Sequence, residues 1–152
     1  MVLSFRPADQ KDIPQLVALL QQLCAIETDF QFSAERQQRG LDLLLSTDSA
    51  VIMVACINDC IVGMVTGQLV ISTAEGNPSA LIEDLIVTTE NRGCGIGGQL
   101  LKEIGGWAAG YGASRLQLLA DRDNRRGLVF YGSGGWQQTR LICLRKYHSS
   151  LT

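Results

Sequence analysis

The segment Leu85-Ile86-Val87-Thr88-Thr89-Glu90-Asn91-Arg92-Gly93-Cys94-Gly95-Ile96-Gly97-Gly98-Gln99-Leu100-Leu101 constrains this chain more than any other. An apolar, β-branched run ends in a polar turn, an arginine and a glycine cluster follow, and a helix-forming run begins at once. Glycine has no Cβ, so the backbone there can take positive-φ conformations and come close to a ligand. The first amides of a helix lack intrahelical acceptors, and the helix dipole adds to their pull on an anion. The pattern is that of a strand–turn–helix that cradles a phosphate.

The rest of the chain reads as one globular domain spanning residues 1–152, with 46% hydrophobic and 18% charged residues and only three prolines. No stretch approaches the ~18 uncharged apolar residues of a membrane span. The start Met1-Val2-Leu3-Ser4-Phe5-Arg6 lacks the layout of a secretory leader, so a cytoplasmic location is expected, with no membrane partner. Cysteines stand at 24, 56, 60, 94 and 143 with no CxxC pair, and His148 is the single histidine. That set does not make a zinc site, and the thiols read as reduced and mostly buried.

Charge is divided along the chain. Residues 1–91 carry four basic and twelve acidic side chains, whereas residues 92–152 carry nine basic and three acidic ones. If both parts line one cleft, the arrangement suits an anionic ligand on the C-terminal side and a cationic one on the other. The basic residues are scattered and lack interleaved aromatics, which argues against nucleic acid as a partner.

Periodicity and turn chemistry predict the elements. A strand at 3–6 precedes a helix over 13–25, with Asp9 and Asp12 as an acidic capping box. A second helical stretch follows Ser33. Runs 51–57 and 61–71 form a hairpin about Asn58-Asp59-Cys60. Strand 80–87 leads into the glycine turn, and the helix over 96–109 stops at Gly110-Tyr111-Gly112. A strand at 115–120, a short helix over 124–131 and an extended segment at 136–144 complete the chain.

Gly93, Gly95 and Gly98 satisfy the dinucleotide pattern G-x-G-x-x-G, but that motif belongs in the first βαβ unit of a doubly wound sheet. Here a hairpin and a third long strand precede it, and 54 residues remain after Gly98. No lysine with serine or threonine closes the glycines as in a P-loop. A dinucleotide-binding protein remains the alternative, as does a non-catalytic coenzyme-A-binding or interaction domain.

Arg92-Gly93-Cys94-Gly95-Ile96-Gly97, followed downstream by Asn124, Phe130-Tyr131 and Gly134-Gly135-Trp136, resembles the paired motifs of the Gcn5-related N-acetyltransferases, or GNAT family. The resemblance covers essentially the whole chain. It departs from the family at Trp136, where phenylalanine is commoner, and near Gly127 and Leu128, where an alanine is usual. It implies an α/β (α+β) GNAT fold: a mixed, mostly antiparallel sheet of six or seven strands flanked by helices. Two parallel strands, ending at Val87 and Ala120, would splay at its centre. It also implies acetyl-CoA as co-substrate, with Leu85 and Val87 pairing with the pantetheine arm. The amides of Arg92, Gly93, Cys94, Gly95, Ile96 and Gly97 would take the pyrophosphate, with Asn124 also on the cofactor side.

Acetyl transfer from a thioester to an amine requires removal of an ammonium proton, donors for the tetrahedral oxyanion and protonation of the departing thiolate. Cys94 has no neighbouring histidine and sits among the phosphate-binding amides, so direct attack is expected rather than a cysteine intermediate. The resemblance gives Tyr131 the role of general acid. Ile82-Glu83-Asp84-Leu85 is similar to the diamine N-acetyltransferase branch, which implies Glu83 as base, often through water, and Asp84 in a structural or substrate-holding role. Strand alternation puts those two carboxylates on opposite faces. The same branch carries acidic residues near its amine pocket where Glu27 and Asp29 stand here. Its acceptors are polyamines or lysine-like amines, and its members are homodimers.

Overall fold

The computed structural model describes residues 2–148. They form two compact units, one up to Leu118 and one from Leu119 onward.

The first unit is a sheet with helices on both faces. Its elements in chain order are β1 (Leu3–Pro7), α1 (Ile13–Ile26), α2 (Ala34–Leu45), β2 (Ala50–Ile57), β3 (Cys60–Ser72), β4 (Asn77–Val87), α3 (Ile96–Gly110) and β5 (Arg115–Leu118). The strands lie in the order β1-β2-β3-β4-β5. Neighbours are antiparallel except the last pair, where β4 and β5 are parallel. The mixed GNAT-type architecture is as expected, but the sheet has five strands among the described residues rather than six or seven. The parallel pair accordingly lies at the sheet edge and not at its centre. No helix among the described residues is long and apolar enough to cross a membrane.

Local chemistry explains most of these elements. Asn58 and Asp59 both have positive φ, at 49° and 68°, and Ile57 pairs with Cys60. That is a two-residue turn of the kind whose twist suits a hairpin, with Cys60 already in the strand. The apolar face of α1 buries Ile13, Leu16, Leu19, Leu20 and Leu23. It joins Leu41 of α2 over Ile52, Val54, Met64 and Ile86 of the sheet. On the other face, α3 buries Leu100 and Ile104 completely. It can approach because β3 offers glycines there: a Cβ on Gly67 would stand 2.7 Å from Ile104 Cδ1, and one on Gly63 would stand 3.1 Å from Leu100 Cδ1. At its C-terminus Gly112, with φ of 84°, lets Ala113 N–H reach the carbonyl of Ala108 at 3.0 Å, a Schellman closure.

The second unit holds α4 (Arg125–Ser133), which buries no residue. Asn124 caps it, accepting from the Gly127 amide at 3.0 Å. Tyr131 stacks edge-on with Phe130 and with Trp136, at centroid distances of 5.2 and 6.0 Å. Residues 136–144, expected as an extended segment, form no strand. Leu141-Ile142-Cys143-Leu144 has no alternation to define a buried face, and the Leu141 amide donates locally to Thr139 Oγ1 at 3.2 Å.

One ion pair ties the start of the chain to this framework. The Arg6 guanidinium donates to both oxygens of Asp12, at 2.7 and 3.0 Å, and Asp12 also accepts from the Asp9 amide at 2.8 Å. The hydrogen bond from Arg6 holds the buried Asp12 carboxyl below the ordinary carboxylate range, against the opposing effect of burial. The stabilisation is therefore complete above the unfolded value of about 4 and drains away as pH falls through the lower folded value. Asp12→Asn should cost about 1–3 kcal/mol, since the Arg6 end is partly solvated, and should flatten the acid limb of stability. Urea unfolding of both proteins between pH 7 and pH 3 measures this; equal stability at neutral pH would remove the pair from the fold's supports.

Candidate functional site

The site begins where β4 and β5 part. Their pairing runs from Ser79 opposite Arg115 to Ile82 opposite Leu118, and β4 then continues to Val87 without a partner on that side. Residues 83–87 are thus left without a strand partner on that side, since β5 ends at Leu118 and not at Ala120.

A bulge lies at the start of this free stretch. Thr66 pairs with Glu83 and Met64 with Ile86, so one residue of β3 faces Asp84 and Leu85 together. Asp84 takes the extra turn at φ of 55°, a left-handed conformation that aspartate tolerates better than most residues. The bulge breaks the alternation expected for the two carboxylates. Glu83 is the register partner of Thr66, and the Thr66 hydroxyl donates to Asp84 Oδ2 at 3.3 Å, so both acidic residues gather about one threonine. Thr66 is fully buried, Asp84 half-buried and Glu83 exposed. Burial, reinforced by the charge of Glu83 and opposed by the Thr66 bond, pushes the Asp84 carboxyl up to about 6.

The last turns of α1 reach the same place. Burial raises the Cys24 thiol, and the charges of Glu27 and Asp84 raise it further, which puts both carboxylates within electrostatic range of one side chain. Glu27 closes α1, its amide donating to the Leu23 carbonyl at 2.9 Å. Asp29 lies exposed in the turn beyond, and nothing in the geometry joins it to Asp84.

The other end of β4 is suited to anions. Gly93 and Gly95 have φ of 75° and 82°, and Gly95 is the N-cap of α3 with no side chain bonded to the first-turn amides. A Cβ on either glycine would meet nothing within 4 Å, so backbone conformation rather than packing demands glycine there. The amides at this helix start are those that would hold a pyrophosphate. Arg92 folds back: its Nε donates to the Val87 carbonyl at 2.8 Å, taking one lone pair of a group expected to meet the pantetheine arm. Beside it lies an open cleft of about 270 Å³ lined by Gln22, Ala25, Ile26, Thr89, Glu90 and Arg92. It borders the anion end and does not include Asp84.

The first unit thus brings Glu83, Asp84, Leu85, Val87 and residues 92–97 onto one strand–turn–helix, with Glu27 near. Asn124 and Tyr131 belong to the second unit. The Asn124 oxygen, expected on the cofactor side, is engaged in capping α4, and a Cβ on Gly127 would come within 2.8 Å of its Nδ2. Glycine at 127 leaves room for that cap. The cysteines are free, but they are not mostly buried: only Cys56 is, while Cys60, Cys94 and Cys143 are exposed. Cys60 starts at a turn, Cys94 stands in the glycine loop and Cys143 follows α4, places that small hydrophobes do not need to fill. Thr66 escaped the sequence reading, because its role depends on a cross-strand neighbour. Gln22, Thr89 and Glu90 escaped it because nothing local distinguishes them from solvated residues.

Residues 18–135 match the sequence profile of the Acetyltransferase (GNAT) family. The chain belongs to that family. A protein from Agrobacterium tumefaciens str. C58, provisionally described as an acetyltransferase, is 26% identical, with a TM-score of 0.82 over 95% of this chain and 99% of its own. An acetyltransferase from Clostridium acetobutylicum, solved with acetyl-CoA, is 20% identical, with a TM-score of 0.77 over 95% of this chain and 96% of its own. AAC(6')-Iy, solved with the bisubstrate analog CoA-S-monomethyl-acetylneamine, is 15% identical, with a TM-score of 0.83 over 97% of this chain and 100% of its own. The last two likenesses show the shared fold. No curated protein matches the sequence. This GNAT protein is an acetyl-CoA-dependent N-acetyltransferase, and the dinucleotide alternative falls with that assignment.

Gly95→Ala must hold an alanine in the left-handed region at a cost of about 1–2 kcal/mol, which corresponds to roughly tenfold weaker binding of acetyl-CoA. Calorimetric titration reads this directly, and an unchanged Kd would take the glycine turn out of the phosphate site.

Proposed function

We propose that this GNAT enzyme acetylates a primary amine of a small cationic acceptor, a polyamine or a lysine-like molecule, by direct attack on the thioester of acetyl-CoA. The observation that carries the reading is the carboxylate pair at the bulge. Glu83 and Asp84 stand where β4 leaves β5, and neither forms an ion pair with a described lysine or arginine. A half-buried carboxylate is costly without a positive partner, so an ammonium ligand supplies what the protein leaves out. Glu27, Asp29 and the acidic balance of residues 1–91 favour the same class of acceptor.

In this proposal residues 1–152 serve a single acetyltransferase activity. A carboxylate at the bulge, assigned from the sequence to Glu83, takes a proton from the ammonium. The freed lone pair attacks the thioester carbonyl, the C–S bond breaks, and Tyr131 protonates the departing sulfur while the acylated nitrogen gives up its second proton to restore the tyrosine. Backbone of Leu85 and Val87, the amides of residues 92–97 and Asn124 serve the cofactor side. Cys94 forms no acyl intermediate: its Sγ lies 3.6 Å from the Arg92 carbonyl, within the loop assigned to phosphate. A homodimer belongs to the proposal through the diamine-branch resemblance alone, and a cytoplasmic location through the sequence reading.

Aminoglycosides are also polycationic amines, and AAC(6')-Iy carries an aminoglycoside-derived analog in its structure, so they belong among the acceptors to be tested. Thiol release from acetyl-CoA should be fastest with spermidine or a lysine analogue, measured beside aminoglycosides, short peptides and an uncharged amine. Turnover confined to peptides or the uncharged amine would defeat the acceptor assignment and leave the family intact.

Tyr131→Phe should lower kcat by about 100- to 10,000-fold when chemistry limits turnover, with acetyl-CoA affinity retained. A kcat and pH profile equal to wild type would remove Tyr131 from the mechanism.

A further inference from the structure

We propose that Asp84, held in the β4 bulge against Thr66, and not Glu83, is the group that takes the proton from the acceptor amine. The inference rests on the acetyl-transfer reading and refines its residue assignment. Three geometric facts carry it. Asp84 is one of the two bulge residues that oppose a single residue of β3, it has φ of 55°, and it stands just beyond the last β4–β5 pair. The Thr66 hydroxyl holds one carboxylate oxygen at 3.3 Å and leaves the other without a bonded partner among the described residues. Glu83, in contrast, is exposed and held by no described hydrogen bond, so its position relative to a bound amine is not fixed by the protein.

The surroundings of Asp84 suit a base. It is half-buried, and its carboxyl is pushed up to about 6, which leaves it ionised at neutral pH yet ready to accept a proton. Glu83 on the same strand raises it by like charge, and Thr66 on β3 lowers it by stabilising the carboxylate. From α1, Cys24 lies within electrostatic range of it, and Glu27 is within range of the same thiol. On β5 the charged Arg115 is opposite Ser79 and paired with Glu75, away from the bulge. On α3, Glu103 accepts from Gln99 and Lys102 is exposed. No described ion pair involves Asp84. The protons balance: one N–H proton of the ammonium passes to Asp84, the nitrogen lone pair forms the C–N bond as the C–S bond breaks with its pair on sulfur, and the second proton lost from nitrogen replaces the one that Tyr131 gives to the thiolate. Asp84 returns its proton to solvent after product release.

The test uses the full chain, acetyl-CoA and spermidine, or whichever amine of the panel above turns over fastest, with kcat/KM measured from pH 5 to pH 9. Wild type should lose activity below a limb near pH 6. Asp84→Asn keeps a residue that tolerates positive φ and can still accept from Thr66; it should lower kcat/KM by about 100- to 10,000-fold and abolish the limb. Two further variants move the limb in opposite directions. Glu83→Gln removes a like charge and shifts it down, while Thr66→Val removes the stabilising hydroxyl and shifts it up. A purely structural Asp84 would give no such opposed shifts, and these two variants decide the matter if Asp84→Asn fails to fold. Asp84→Asn with wild-type rate and limb, or a limb that neither Glu83→Gln nor Thr66→Val moves, overturns the assignment while acetyl transfer stands. A wild-type chain that binds acetyl-CoA but acetylates no amine overturns both.

Discussion

The single extra residue in β4 is the constraint on which the site depends. Because Asp84 and Leu85 together oppose one residue of β3, the pairing slips by one position, and Glu83 and Ile86, three apart in sequence, face residues two apart. A bulge of this kind bends its strand and increases the local twist. Below it, β4 follows β5 as an ordinary parallel pair; above it, β4 runs alone to Val87. The free backbone edge that a cofactor arm needs and the gathering of two carboxylates about Thr66 have one origin.

That device works only because the layers around it are tightly packed. Gly63 and Gly67 let α3 descend onto β3, and α1 closes the opposite face over Met64 and Ile86. Thr66 is thereby removed from water, and its hydroxyl needs a partner. Asp84 supplies it. Burial then weakens the carboxyl's acidity, which a solvated aspartate in a loop could not achieve. Packing on both faces of the sheet thus bears on the Asp84 carboxyl, which Thr66 holds by one hydrogen bond.

The same stretch of chain carries two opposite electrostatic ends. At the bulge it presents carboxylates, and some ten residues later it presents the unpaired amides of a helix start with two left-handed glycines. One strand–turn–helix therefore presents opposite charge preferences at its two ends, their separation set largely by strand rise. Arg92 strengthens the junction by bonding back to the Val87 carbonyl.

Much of this was legible in the residues because it is local. The capping box at Asp9 and Asp12, the Asn58-Asp59 turn, the helix over Ile96–Gly110 and the glycine turn each follow from side chains within a few positions of one another. Family membership was legible for the same reason, since its motifs are short and contiguous. The bulge was not. Alternation assigns Glu83 and Asp84 to opposite faces, and only the register with β3 reverses that, because a bulge is a property of two strands. The exposed cysteines and the absence of a strand over 136–144 were likewise hidden, as exposure and pairing depend on what the rest of the chain brings alongside. The sequence by itself determined the glycine-rich helix start and the presence of two acidic residues in an apolar strand. Tertiary structure alone decided which of the two meets Thr66 and loses its water, since burial and cross-strand contact arise only when distant segments pack together.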